Sequence, residues 1–307
     1  MIFITIFNKA LRFCKRILRT VKDTITKIMI YVRWAVFSLY PNWKGVEESP
    51  NGEDIIVSLT SYPPRINTVN RTIKSLLLQR KKPCRVILWL ADSQFPQKEK
   101  DLPASLIKLK QRGLEIRWCD DLGSYKKLIP CLSSYPDSII VTTDDDAYYR
   151  NSCLEMMYET YKANPQTICA HSVHKVCIKE GKYDQIRGKE GVWAGSTFLN
   201  RLVGVNGVLY PPHCLHPDVA RTELFLKLCP TNDDIWFWLM AVRNDVKTVA
   251  TPKRPRILYV GNTQKGPTLT SINEHGPKLL WRDFYNILSY YPELDPKLRS
   301  EYEKIST

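Results

Sequence analysis

The chain has 307 residues, 44% hydrophobic and 25% charged, proportions of an ordinary globular protein that exclude a disordered chain. Its net charge is +14, and residues 1–45 hold +8 of it: nine Lys and Arg against one acid, Asp23. Nine cysteines are scattered with no C-x-x-C pair, which argues against a zinc cluster; several lie in apolar runs and read as buried free thiols of a reducing cytoplasm.

In residues 1–45, Phe7, Leu11, Cys14, Leu18, Val21, Ile25, Ile28 and Val32 recur at alternating spacings of four and three. That is one apolar stripe of an amphipathic helix, with Lys9, Arg12, Arg16, Arg19 and Lys22 off the stripe. The longest uncharged run nearby, Trp34–Trp43, is interrupted by Pro41 and falls well short of the ~20 apolar residues a spanning helix needs. Recurring charges and the lack of a small-residue cleavage site also fit a secretory signal poorly. A basic helix lying on an anionic membrane surface is expected, with Trp34, Phe37, Tyr40 and Trp43 suited to the interface. The heptad-like spacing leaves a coiled coil as an alternative. No nucleic-acid-binding module accompanies the bases, so no nucleic acid partner is expected.

Pro41–Asp54 reads as a linker. Apolar runs at Ile55–Thr60, Val86–Leu90, Leu114–Trp118 and Ser138–Val141 read as strands. Helices are expected from Asn67 or Thr68 to Gln79, over 101–112 up to Gly113, and over Tyr125–Ser134. This alternation predicts a doubly wound, mainly parallel α/β sheet. After a helix over 151–163 and a strand over Thr167–Ser172 the alternation weakens into a loop-rich region. That region contains Trp193–Ser196 and Gly204–Pro212, and suits an acceptor-shaping, mixed half.

Acids collect where the strands end: Asp92, Asp120 and Asp121, and the triplet Asp144-Asp145-Asp146. Ligands of open α/β sheets bind at that edge. Three adjacent carboxylates repel one another unless a cation intervenes, and hard ions such as Mg²⁺ and Mn²⁺ take carboxylate oxygens together with substrate phosphates. The triplet therefore points to a metal–diphosphate site, against the plainer reading of a solvated acidic turn. A second motif, Asn232-Asp233-Asp234-Ile235-Trp236, puts Asn232 at a helix cap and two acids in the first turn. There they could simply complement the helix dipole, or serve as a general base backed by a Trp-rich helix.

Together these residues resemble a GT-A-type nucleotide-sugar glycosyltransferase over about residues 54–265. More narrowly they are similar to bacterial transferases of capsule and lipopolysaccharide synthesis. The likeness lies in Ser-Leu-Thr-Ser-x-Pro-x-Arg at Ser58–Arg65, in Gly123, Lys127, Leu128 and Pro130, and in Gly204, Gly207, Leu209 and Tyr210-Pro211. It implies a GT-A-like, Rossmann-like domain, preceded by the helix of residues 1–45 and followed by a helical extension over 266–307. Thr60, Ser61 and Arg65 would line the nucleotide pocket, with Asp92 near the base and Lys127 at the diphosphate. Asp144 and Asp146 are the outer positions of the Asp-X-Asp motif, reaching ribose and metal, with Asp145 between them on the donor side. Asp233-Asp234-Ile235 matches the acidic pair of inverting transferases, which makes Asp234 the base and Asp233 the other candidate; in a retaining enzyme Asp234 would serve in positioning. Gly207, Tyr210 and Trp236 fall to the acceptor. His213, His216 and His275 are candidates for a histidine ligand, each also readable as structural.

The implied activity is Mn²⁺- or Mg²⁺-dependent transfer of a sugar, with UDP the favoured nucleotide, to a glycan or lipid-linked acceptor in cell-surface polysaccharide synthesis. The enzyme would sit peripherally on the cytoplasmic face of the inner membrane. The alternatives are a metal-dependent phosphoryl-transfer or hydrolytic enzyme and a non-catalytic scaffold docked on the membrane.

Overall fold

In a computed structural model, residues 2–40, 42–49, 52–187, 195–253, 255, 258–261 and 279–306 are described. The chain forms two compact units, Met1–Trp43 and Lys44–Thr307. The first is dominated by one continuous helix, α1 (Ile2–Ser38). The expected stripe is solvent-facing along it: Leu18 is 69% exposed and Ile25 and Ile28 are each 54% exposed. No described helix is long and apolar enough to cross a membrane. Beyond α1, Trp43 stacks on Phe37 (4.9 Å, 21°) and meets Trp34 edge-on at 5.7 Å.

The second unit is built on a seven-stranded sheet. Strands β1 (Ile55–Thr60), β2 (Arg85–Ala91), β3 (Leu114–Cys119) and β4 (Ile139–Thr143) are parallel, in the order β3-β2-β1-β4. Short β5 (Ala147–Tyr148) follows β4. Strand β6 (Ile168–Ala170) belongs to the large sheet, while β7 (Val173–Lys179), β8 (Lys182–Arg187) and β9 (Asn200–Leu202) form a small antiparallel one. Strand β10 (Val208–Tyr210) inserts antiparallel between β4 and β6, and β11 (Thr248–Ala250) closes the edge parallel to β6. β12 (Leu258–Tyr259) pairs with β5. The mainly parallel α/β sheet with a mixed half is thus present as expected.

The first connecting helix, α2 (Val69–Leu77), buries Val69, Ile73, Leu76 and Leu77 as its spacing predicts. Two expected helices come out differently. Over 101–112 only α3 (Ala104–Ile107) is α-helical. It begins after Pro103, tightens into a 3₁₀ segment over Lys108–Arg112, and stops at Gly113. That glycine has φ +107°, and a Cβ there would lie 2.5 Å from Val46 Cγ2, so both conformation and space require glycine. Over 125–134 the chain forms a 3₁₀ turn, Gly123–Lys127, and then α4 (Ile129–Ser134). Pro130 lacks the N–H that a helix running through from Tyr125 would need, but is tolerated in the first turn of α4.

Helix α5 (Cys153–Ala163) follows β5. The loop-rich region proves partly sheet: β7 and β8 form a hairpin whose Glu180-Gly181 turn has positive φ at both residues (49° and 75°), the type I′ geometry that suits hairpins. His174 and Lys175 are buried in β7, which hides the apolar alternation that marks a strand. The Gly204–Pro212 segment likewise contains β10. Trp193 and Ala194 lie outside the described residues.

Helix α6 (Thr222–Leu228) leads to α7 (Asp233–Arg243), whose residues from Ile235 to Val242 are all buried, as an all-round apolar helix must be. Helices α8 (Leu279–Tyr290) and α9 (Leu294–Ser306) follow. Their Phe284, Ile287, Leu294 and Leu298 join the core cluster that contains α7. Six cysteines are buried free thiols, Cys131, Cys153, Cys169, Cys177, Cys214 and Cys229. Phe284 is fully buried, stacked on Trp238 (5.8 Å, 14°) and edge-on to Tyr183 at 5.0 Å. Phe284→Ala should therefore cost about 3–5 kcal/mol of stability, read as a lower midpoint in urea unfolding.

Candidate active site

Strands β2 and β3 step away from β1 on one side, and β4 returns to its other side, with Leu59 opposite Thr143. This reversal is the switch point where open α/β sheets leave a crevice at the carboxyl ends of the strands. Both strands deliver their polar residues there. Ser61 Oγ donates to Asp145 Oδ2 at 2.6 Å. Arg65 Nη1 lies 2.7 Å from Asp145 Oδ1 and 3.1 Å from Asp146 Oδ2. Thr72 Oγ1 on α2 donates to the Asp145 carbonyl at 2.8 Å, and Val260 N donates to that of Asp146 at 2.7 Å. Asp144 N donates to Tyr149 Oη at 2.8 Å. The triplet is therefore a built corner: Asp145 and Asp146 are buried, while the Asp144 side chain is 31% exposed. The reading of a solvated acidic turn does not fit.

The second acidic motif arrives at the same place. Lys127, at the end of the 3₁₀ turn, is buried, and Ser58 Oγ in β1 holds its carbonyl at 2.6 Å. Its Nζ lies 2.8 Å from Asp233 Oδ2, 3.4 Å from Asp144 Oδ1 and 3.7 Å from Asp234 Oδ1. One ammonium thus joins the end of β4 to the start of α7. Burial alone would lower its pKa, but Asp233, Asp144 and Asp234 together raise it well above the ordinary lysine value.

The two acids of α7 differ. The Asp233 side chain is 8% exposed and takes Ser124 Oγ at 2.9 Å as well as Lys127. The Asp234 side chain is 24% exposed. Its Oδ2 accepts the Gly204 N–H at 2.8 Å, while Oδ1 takes no hydrogen bond among the described residues. A Cβ at position 204 would fall 2.8 Å from Asp234 Oδ1 and 2.9 Å from Lys127 Nζ, so the site requires glycine there. Burial pushes the Asp234 carboxyl up to about 6, with Lys127 opposing and Asp233 adding. Burial likewise raises Asp146 to about 7; Asp144 reinforces the shift, Arg65 opposes it and Asp145 adds to it.

Thr60 and Asp92 stand at the carboxyl ends of β1 and β2, the same edge of the sheet. Thr60 closes β1, its hydroxyl donated to the Trp89 carbonyl at 2.9 Å. Asp92 sits at the end of β2, half-exposed and paired with Lys98. Gly207 takes φ +107° on the way into β10, within 3.2 Å of Met157 Cε for an added Cβ. Tyr210 and Trp236, expected at an acceptor surface, are buried in the core instead; Tyr210 is a strand residue packed on Phe237, and Trp236 donates its Nε1–H to the Val219 carbonyl at 3.0 Å. His213 pairs with Asp137, and His216 with Arg243 and the Asp218 backbone N–H. His275 lies outside the described residues. Sequence reading missed Ser124, Tyr149 and Thr72, whose types carry no signal, and the roles of Ser58 and Gly204, which do stand in the short motifs.

No family model matches the chain, and no curated protein matches it. Among solved structures the chain is similar to S. aureus TarS 1–349 in complex with UDP-GlcNAc (13% identity, 76% of this chain and 66% of that one, TM-score 0.47). A second TarS 1–349 structure matches at 13% identity over 67% of this chain, with TM-score 0.44, and the chain spans 59% of its length. The mannosyltransferase PcManGT from Pyrobaculum calidifontis, in complex with GDP-Man and Mn²⁺, matches at 14% identity over 93% of this chain and 84% of that one, TM-score 0.42. At these values the activity has to be read from the chain's own residues.

Because Asp146 holds its proton more tightly folded than unfolded, it stabilises the fold most at low pH. That contribution is lost as pH rises from about 4 through about 7. In chelating buffer, urea unfolding of the wild type should lose up to about 4 kcal/mol relative to Asp146→Asn over that range. Parallel pH profiles for the two proteins would refute it.

Proposed function

We propose that the chain is a glycosyltransferase that moves a sugar from a nucleoside-diphosphate sugar, UDP favoured, to an acceptor hydroxyl with inversion. The carrying observation is the Lys127 ammonium shared by Asp144 at the end of β4 and by Asp233 and Asp234 at the start of α7. It brings a donor-side carboxylate and a candidate base to one crevice. Asp234 suits the base better than Asp233: its side chain is the more exposed, it is not engaged by Ser124, and its pKa near 6 matches work close to neutral pH. The acceptor O–H would pass its proton to the Asp234 carboxylate, the oxygen would bond to the sugar C1, and the C1–O bond to the diphosphate would break. Gly204 N–H would keep Asp234 oriented, and Lys127 would offer its charge to the leaving group.

Asp144 and Asp146 fit Mn²⁺ or Mg²⁺ that draws the rest of its coordination from diphosphate and water, since burial and the neighbouring Asp144 carboxylate raise the Asp146 carboxyl, and a cation shared by the two would oppose both effects. Among the described residues no group of three or more His, Cys, Asp or Glu is placed to hold a metal ion by itself. Such an ion would neutralise the charge that develops on the departing diphosphate. The reading extends to cell-surface polysaccharide synthesis, with a glycan or lipid-linked acceptor at the cytoplasmic face of the inner membrane.

Thermal shift with UDP, GDP, CMP and dTDP, each with and without Mn²⁺ or Mg²⁺, should show metal-dependent stabilisation by one nucleoside diphosphate, lost in Asp146→Ala. Asp234→Asn should keep that binding and lose about 10²–10⁴-fold in turnover. Stabilisation by CMP without metal, or full turnover by Asp234→Asn, would end the proposal.

A lipid-linked acceptor calls for an enzyme held at the bilayer, and α1 supplies the means. Its apolar stripe is exposed, and Lys15, Arg16, Arg19 and Lys22 are exposed off that stripe. Each such base near an anionic surface contributes about 1 kcal/mol. The protein should float with vesicles of phosphatidylglycerol and not of phosphatidylcholine, and Leu18→Glu with Ile25→Glu should abolish it. A wild type that stays unbound but sediments as a dimer would favour the coiled coil.

A further inference from the structure

The base has a support that comes from the far end of the chain. Asn232 directly precedes the acid pair and occupies the cap position of α7, yet its side chain does not cap that helix. Its Nδ2 donates instead to Oδ2 of Asp283 in α8. Asp283 is fully buried, and Arg282 holds its other oxygen through Nε at 3.0 Å and Nη2 at 2.7 Å. Burying a carboxylate costs several kcal/mol, and its partners seldom return more than that, so an apolar pair would serve packing at least as well.

The rest of the segment is held from both sides. Tyr125, two residues before Lys127, donates its hydroxyl to the Cys229 carbonyl. Cys229 Sγ lies 3.0 Å from the Asn232 carbonyl, which also accepts from Ile235 N at 3.0 Å. From α8, Asn286 Nδ2 reaches the Leu228 carbonyl at 3.4 Å, and Phe284 stacks on Trp238 one turn into α7. The segment 228–232 is thus clamped between the turn that carries Lys127 and the helix that carries Asp283. Its carboxyl end is the first turn of α7, where Asp234 must meet Gly204 N–H and face the crevice.

We propose that Asp283 is a positioning residue: through Asn232 it fixes the first turn of α7 and so aims Asp234. It touches no substrate. The inference rests on the transferase reading for its effect on turnover, but its structural half is independent of any activity. A base misplaced by about 1 Å costs on the order of 10²-fold in rate.

The test uses the full chain with Asp283→Ala, Asp283→Asn and the exchange Asn232→Asp/Asp283→Asn, which rebuilds the pair in reverse. Hydrogen exchange at the Ile235 and Trp236 amides should quicken in Asp283→Ala and return toward wild type in the exchange. With the donor found by thermal shift, turnover should fall about 10–10²-fold in Asp283→Ala while the donor KM stays within about twofold, and should recover partly in the exchange. Unchanged exchange rates at those amides in a folded Asp283→Ala would overturn the inference, as would unchanged turnover. A loss shared equally by turnover and donor binding, tracking the folded fraction, would reduce Asp283 to a core residue and also overturn it. A wild type inactive on every sugar nucleotide would sink the transferase reading alone, and the amide exchange would still decide the role of Asp283. Should Asp283→Ala fail to fold, Asp283→Asn carries the same comparison, because it keeps the volume and one acceptor.

Discussion

Carboxylates from two distant segments share one crevice only because a buried ammonium stands between them. Take Lys127 away and Asp144, Asp233 and Asp234 face each other with too little water to screen them. Much of the surrounding structure can be read as provision for that ammonium. The 3₁₀ turn brings it in, Ser58 ties its backbone to β1, Ser124 steadies the acid it touches most closely, and Gly204 clears the volume its head group needs. A second cation does similar duty alongside: Arg65 spans Asp145 and Asp146. The two bases partition the acids into a corner that is almost closed and a group in which Asp144 and Asp234 keep partial exposure.

That partition explains why neighbouring acids behave differently. Asp145 is engaged by Ser61 and Arg65 and is a structural member of the corner. Burial and the adjacent Asp144 raise the Asp146 carboxyl, with Arg65 opposing. Asp233 is held by Ser124 and Lys127, while Asp234, the more exposed, is held by the Gly204 N–H. Identical side chains thus acquire separate duties from burial and from a few donors.

The sheet was legible because parallel strands buried on both faces read as short apolar runs, and the acids after β2, β3 and β4 marked its working edge. The two acidic motifs were legible for the same reason: runs of like charge next to buried segments demand an explanation. What the sequence concealed was non-local. Nothing in Ser124 or Tyr149 announces a partner, since each acts through a contact set by the fold. The hairpin of β7 and β8 was hidden because His174 and Lys175 point inward and erase the alternation. Tyr210 and Trp236 misled in the opposite way: large aromatics with a polar edge suit a binding surface, but both sit where the apolar core of α7 and β10 needs volume.

The dependence of α7 on α8 bears on how the protein is made. Synthesis runs from the amino end, so the Asp triplet leaves the ribosome about 140 residues before Asp283 does, an interval on the order of ten seconds. Ser61, Arg65 and Thr72 have by then already emerged, and the corner around Asp145 can close with what precedes it. The acid pair cannot be seated until the C-terminal helices are out. A nascent chain would therefore close the corner around Asp145 first and seat Asp233 and Asp234 last, only after α8 had been added.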